Sequence, residues 1–261
     1  MDLSLKGKRA LVCGASQGIG KACAIELASL GANVTLFSRN QAKLEAVLAE
    51  LDVSLGQRHE VLLADFANPQ EVKTAIESYT YSHSIEIVIN NTGGPAPGPA
   101  HQADPQAFIN AFNLHLVSNQ HIVQACFPAM KKAGYGRVVN IISTSVKQPI
   151  VGLGVSNTIR GAVASWAKTL ANELGQFGIT VNNVLPGATN TVRLEAIIQN
   201  KMAKSGKSIE EVIADEKAGI PAGRFGEAHE LAAAVAFLAS PAASYINGVN
   251  LPVDGGRTAC L

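Results

Sequence analysis

Residues 8–30, KRALVCGASQGIGKACAIELASL, place a short apolar strand, a glycine turn and a helix in immediate succession. Residues 9–13 are β-compatible without polar alternation, the pattern of a central parallel strand buried on both faces. Gly14, Gly18 and Gly20 then stand where a chain must bend sharply, admit a diphosphate against its backbone and seat the next helix on the strand. The start of that helix, at 18–21, offers unpaired N–H donors and the positive end of a dipole, so an anionic diphosphate is stabilised there. Its apolar residues Ile19, Ala22, Cys23, Ile25, Leu27 and Leu30 give it something to pack with. A glycine triplet alone is weak. Strand before and helix after turn it into a dinucleotide-binding pattern.

The alternation continues down the chain. Strands are expected at 33–37, 59–63, 85–90, 137–142, 180–185 and 248–253. Helices are expected at 41–51 behind the cap Asn40, at 69–79 with Pro69 in the first turn, and at 105–132, 156–177 and 227–239. Residues 192–220 form a polar segment with two helical pieces, 193–204 and 208–218, and are expected to lie over a site as a lid. The pattern predicts one α/β domain over 1–261, a doubly wound sheet of about seven parallel strands with helices on both faces. Ligands of such sheets lie beyond the carboxyl ends of the strands.

Composition narrows the partner. Twenty-one Lys and Arg against twenty Asp and Glu leave a formal charge of +1, which gives nucleic acid or an anionic membrane no purchase and points to a small molecule. The four cysteines, Cys13, Cys23, Cys126 and Cys260, show no ligand-like spacing, so no metal site is expected, and free thiols fit a reducing cytoplasm. The start, MDLSLKGKR, has no apolar signal core, and no apolar run reaches the roughly 18 residues a membrane span needs.

The residues just past the strand ends carry the chemistry. Ser38 and Arg39 follow the second strand, where a NAD-selective site usually has an acid for the ribose 2′-hydroxyl; an arginine there favours a 2′-phosphate. Asp65 and Phe66 follow the third and are placed to bracket an adenine, although Asp65 is equally suited to a turn leading into Asn68 and Pro69.

The segments CGASQGIG (13–20), NNTGG (90–94), FNLH (112–115), NIIS (140–143), LPGATNT (185–191), GRFG (223–226) and NGVNLPVDGG (247–256) resemble the short-chain dehydrogenase/reductase family, in order and spacing over nearly the whole chain. The likeness is greatest to the 3-oxoacyl-carrier-protein reductase branch. This resemblance implies a Rossmann-type sheet, NADP(H) in preference to NAD(H), a carbonyl or alcohol substrate, and a homotetramer or homodimer built on the two long helices. It assigns phosphate contacts to Gly14, Ser16, Gln17, Gly18, Ile19 and Gly20, cofactor selection to Ser38 and Arg39, and the adenine to Asp65 and Phe66. Asn91, Thr92 and Gly93 would lie at the ribose, and Pro186, Gly187 and Thr191 at the nicotinamide. The catalytic asparagine and serine of the family fall on Asn113 and Ser143.

One motif departs. Where the family has Tyr-x-x-x-Lys, this chain reads Ser156-Asn157-Thr158-Ile159-Arg160. The tyrosine is the family's proton donor, and a serine hydroxyl does not titrate in its range. Arg160 keeps a positive charge for catalysis and for the cofactor ribose, in a different shape from lysine. Substitute donors within reach of the sequence are His115, His101, Lys147 and a water held by Ser143, Ser156 and Asn113. His115, two helix positions beyond Asn113, is expected to face away from it. Three functions follow: an NADP(H)-dependent oxidoreductase with an altered proton relay, a catalytically impaired nucleotide-binding protein serving as a sensor or partner subunit, or, more weakly supported, lyase or isomerase chemistry in the same pocket using Lys147 or His101.

Overall fold

β1 (Arg9–Cys13) lies inside a sheet, paired in parallel with β2 (Asn33–Ser38) on one side and β4 (Ile87–Asn90) on the other. This computed structural model describes residues 1–260. α1 (Gly18–Ser29) carries the chain from β1 to β2, and α2 (Gln41–Leu48), capped by Asn40, carries it on to β3 (Glu60–Leu63) at the edge. α3 (Pro69–Thr80) starts behind Asn68, whose side chain accepts from the Glu71 N–H, and returns the chain across β1 to β4. The remaining strands are β5 (Gly136–Ile141), β6 (Ile179–Pro186) and β7 (Asn250–Val253), giving the order β3-β2-β1-β4-β5-β6-β7 with every pairing parallel. The direction of growth reverses between β1 and β4. A crevice therefore opens beyond their carboxyl ends, because the loops there part to opposite faces.

Helices cover both faces. α1, α2 and α9 (Ala228–Ala239) bury Ala24, Leu27, Leu44 and Val235 against one side. α3, α5 (Ser118–Ala133) and α6 (Gly154–Leu174) bury Ile76, Ile122 and Ala171 against the other. α7 (Val192–Ser205) and α8 (Ile209–Ala218) stand apart around their own cluster of Leu194, Ile198, Val212, Ile220 and Phe225. No helix among the described residues is long and apolar enough to cross a membrane.

Some boundaries differ from expectation. The single helix at 105–132 is instead α4 (Pro105–Phe112) and α5, joined by a π-turn at Asn113–Val117. The widened turn alters the carbonyl pairing, and Ser118 meets the Asn113 carbonyl with both its N–H and its hydroxyl. β7 begins at Asn250 rather than 248 because Gly248 sits at φ +74°, outside strand geometry. α6 begins at Gly154, two residues before the expected start, and α2 ends at Leu48.

A polar line runs through the sheet without any ligand. Asn90 donates Nδ2 to Asn140 Oδ1 at 2.8 Å, Asn140 to Asn183 at 2.9 Å, and Asn183 to Asn250 at 2.8 Å. The four stand in register on neighbouring strands, so each side chain donates to the next, from the buried Asn90, Asn140 and Asn183 out to the exposed Asn250 on the edge strand.

Candidate active site

The glycine turn is fixed by close backbone approach. A Cβ on Gly14, at φ +60°, would stand 2.5 Å from the Asn91 carbonyl oxygen, and one on Gly20 would stand 2.3 Å from that of Gly14. Asn91 locks the turn from below, donating Nδ2 to the carbonyls of Cys13 at 3.3 Å and Gly14 at 3.4 Å. No side chain caps α1 and its first turn carries no acid, so the helix meets the crevice with a bare positive end. Gly18 faces Thr191 across the gap; its missing Cβ would be 3.4 Å from Thr191 Cγ2. Ser16 and Ile19 are half-buried beside this turn, and exposed Gln17 accepts from Lys43 Nζ at 3.3 Å.

At the end of β2, Ser38 is buried and its Oγ has no partner, an orphan hydroxyl that a ligand oxygen would satisfy. Arg39 next to it is exposed and pairs with Asp65 at 3.0 Å. The N–H of Ala67 and the Arg39 guanidinium hold the Asp65 carboxyl below its ordinary range. Ser38, Arg39 and Asp65 thus gather at one edge of the crevice. Phe66 lies beneath them in the core, its ring 4.9 Å from that of Phe37. A bare helix end, close-packed glycines and an orphan hydroxyl together fit a dinucleotide laid over the switch point.

The second half of the crevice is built from side chains. Ser143 leaves β5 in extended conformation, and its Oγ accepts from the Ser145 N–H at 3.1 Å, which leaves the hydroxyl hydrogen free to donate. Ser156 and Arg160 are buried one turn apart on the same face of α6. Arg160 donates Nη1 to the carbonyl of Ile141 at 3.1 Å, two residues before Ser143. Burial and the neighbouring Arg193 push its pKa down to about 10, which leaves it charged at neutral pH. Asn113 opens the π-turn, half-buried, on the segment that packs beside α6. Pro186, half-buried, ends β6, and Gly187 follows it against Asp254; a Cβ on Gly187 would lie 2.6 Å from Asp254 Cα.

His115 is buried within the π-turn, where Nδ1 shares a 2.5 Å hydrogen bond with Thr92 Oγ1. Burial first, and the Arg160 charge second, push its pKa down to about 2, so the ring is neutral. It ties the π-turn to the loop of Thr92 and Gly93 rather than supplying a proton. His101 is exposed in a short 3-10 turn and Lys147 is half-buried after another; neither hydrogen-bonds through its side chain to these groups among the described residues. The four tyrosines are all elsewhere. Tyr79 and Tyr81 end α3 ahead of β4, Tyr135 precedes β5 and Tyr245 precedes β7, all of them running into the amino ends of strands.

One residue here has no counterpart among the sequence assignments. Arg193, in the first turn of α7, reaches across to donate Nη2 to the Pro95 carbonyl at 2.8 Å. Its sequence signal was a cation at a helix start, where the dipole disfavours it.

A family model described as "Enoyl-(Acyl carrier protein) reductase" matches residues 14–258. The chain is a short-chain dehydrogenase/reductase. It is 31% identical over 251 residues to the NADPH-dependent reductase BacG of Bacillus subtilis, covering 95% of this chain and 97% of the relative. Against the 3-oxoacyl-[acyl-carrier-protein] reductase FabG of Haemophilus influenzae it is 34% identical over 258 residues, 97% of this chain and 98% of that one. Among solved structures, L-sorbose reductase from Gluconobacter frateurii complexed with NADPH and L-sorbose superposes with a TM-score of 0.92 at 27% identity, over the full length of both chains. These similarities make the chain an oxidoreductase of the short-chain dehydrogenase/reductase class.

Proposed function

We propose that this protein is an NADP(H)-dependent reductase of a carbonyl compound that works without the family's tyrosine. The observation that carries the reading is Ser143 with a free hydroxyl hydrogen, beside a buried guanidinium anchored at the Ile141 carbonyl. Both lie at the same end of the sheet as the glycine turn.

Residues 14–20 bind the diphosphate through backbone N–H groups, Ser38 and Arg39 bind the 2′-phosphate, and Asp65 borders the adenine above Phe66. Asn91, Thr92 and Gly93, with Arg160, border the ribose; Pro186, Gly187 and Thr191 border the nicotinamide. Held by these residues, a reduced nicotinamide would supply the hydride that the carbonyl carbon needs. Ser143 Oγ donates to the carbonyl oxygen and polarises it. Arg160 stabilises the negative charge that grows on that oxygen; a guanidinium stays protonated, so it acts by charge and not as an acid. A water held by Ser156 and Asn113 gives the oxygen its proton, and hydroxide leaves to solvent. α7 and α8, over 192–220, act as a lid that excludes bulk water. Replacing a positioned acid by water lowers the rate by roughly 10²–10⁴, so slow turnover is expected.

The test is titration of NADPH and NADH against the purified protein, followed by a ketone and aldehyde panel at saturating NADPH. NADPH should bind more tightly than NADH, and turnover should fall about 10²-fold in Ser143→Ala with NADPH affinity retained. Tight NADPH binding without turnover across the panel would favour the nucleotide-sensing role instead, and failure to bind either nucleotide overturns the reading.

A further inference from the structure

The active-site mouth holds two cations and no acid to match them. From the position a Cβ would take on Gly94, Arg193 Nη2 is 3.4 Å away and Arg160 Nη2 is 3.9 Å away. Two guanidinium groups from different elements, α6 and α7, therefore converge on one point above the end of β4. Each makes a single hydrogen bond, Arg160 to the Ile141 carbonyl and Arg193 to the Pro95 carbonyl, leaving most of their ten N–H donors unused. Among the described residues neither is ion-paired with a carboxylate. The charge bearing on Arg160 is Arg193 itself, and partial burial also lowers the pKa of Arg193. The other titratable group against Arg160 is His115, buried and neutral, which offers no countercharge.

A buried, unpaired guanidinium facing a second one is costly, and the cost is relieved when an anion enters between them. Two forks aimed at one point suit a planar anion taken by several N–H donors at once. Gly94 leaves the space between them open. We infer that Arg160 and Arg193 form a seat for the carboxylate of the substrate, so that the compound reduced is an oxo acid. This rests on the reductase reading above. It goes beyond it in naming the anionic group and in making Arg193, on the lid, the residue that selects for it. Because Arg193 lies in the first turn of α7 and already reaches the Pro95 carbonyl, a bound carboxylate would add a second tie holding α7 over the reacting carbonyl.

A phosphate of the cofactor offers the same chemistry from a second source, and the experiment separates the two. Pyruvate, acetoacetate and levulinate, which step the carboxylate away from the carbonyl, are compared with their methyl esters at saturating NADPH. The same acids and esters are titrated calorimetrically into protein loaded with NADP+. Wild type should favour the acids, and Arg193→Met should cut the acid-to-ester ratio of kcat/KM by about 10- to 100-fold, chiefly through KM. Gly94→Ala, which crowds the seat without removing charge, should lower the same ratio less. Acids that bind calorimetrically to wild type and not to Arg193→Met, with no turnover of any compound, would uphold the seat while removing the reductase reading. Equal handling of acids and esters by wild type overturns the seat. So does Arg193→Met that weakens NADPH binding and leaves the acid-to-ester ratio intact, since the pair would then serve the cofactor's phosphate.

Discussion

Around the glycine turn the crevice is walled by backbone, whereas around Ser143 it is walled by side chains arriving from four separate segments. In the first region the groups that line the crevice are backbone groups whose positions follow from the fold, with Gly20 pressed against Gly14 and Asn91 tying the turn to β4. In the second, Ser143 comes from the end of β5, Ser156 and Arg160 from α6, Asn113 and His115 from the π-turn, and Arg193 from α7. Backbone sites tolerate little change, because moving them moves the sheet. Side-chain sites exchange residues while the scaffold stays put, and the altered proton relay proposed above lies in that region.

The sharpest test of the contrast is one substitution made in both regions. Gly20→Ala puts a methyl group 2.3 Å from a backbone oxygen that no rotamer change can move. It should destabilise the protein by at least about 3 kcal/mol and abolish nucleotide binding. Gly94→Ala meets nothing nearer than the 3.4 Å arginine nitrogen, the far end of a flexible side chain. Its stability should stay within about 0.5 kcal/mol of wild type. Chemical denaturation of both variants measures this, and equal losses would erase the distinction between the two walls.

The same division explains what could be read from the sequence. The strand, glycine turn and helix of residues 8–30 were legible because apolar runs and glycines report local backbone geometry directly. The order of elements followed for the same reason. The π-turn did not, since the helical pattern of 105–132 continues through it and a one-residue widening leaves no periodic trace. The asparagine line from Asn90 to Asn250 was invisible too, because register across four strands decides it. Ser143, Ser156 and Arg160 could be located by motif spacing, but the convergence of Arg193 with Arg160 depends on a lid helix far along the chain. His115 shows the limit best: helix geometry placed it away from Asn113, and only the fold reveals its bond to Thr92.

His115 also offers a measurement confined to the side-chain wall. Folded, it stays neutral down to about pH 2, whereas the unfolded imidazole titrates near 6.5. Between these values the unfolded chain binds more protons, so stability rises with pH and is lost as pH falls through the window. By pH 5 this group alone should have withdrawn about 2 kcal/mol relative to pH 8. His115→Asn keeps a polar atom for Thr92 and does not titrate, so its stability curve should be flatter by that amount. Parallel curves for the two proteins would mean that the folded imidazole takes up a proton, and that water reaches a residue the structure buries.

The smallest expected effect lies at the edge of the backbone wall, at the exposed ion pair of Arg39 with Asp65. Arg39 keeps 74% of its side chain open to solvent and is held by Asp65 alone. An exposed ion pair of this kind is worth about 0–1 kcal/mol, so the guanidinium can swing to a 2′-phosphate at little cost, but solvent and salt also weaken what it gains there. Arg39→Ala should raise the Kd for NADPH about tenfold, or about 1.4 kcal/mol, with NADH changed much less. The difference should shrink as salt is raised, because screening acts on exposed charges and hardly on the backbone donors of the glycine turn. Equal weakening of both nucleotides would instead make Arg39 a brace for Asp65, and cofactor choice would then rest on Ser38, whose buried hydroxyl has no other partner.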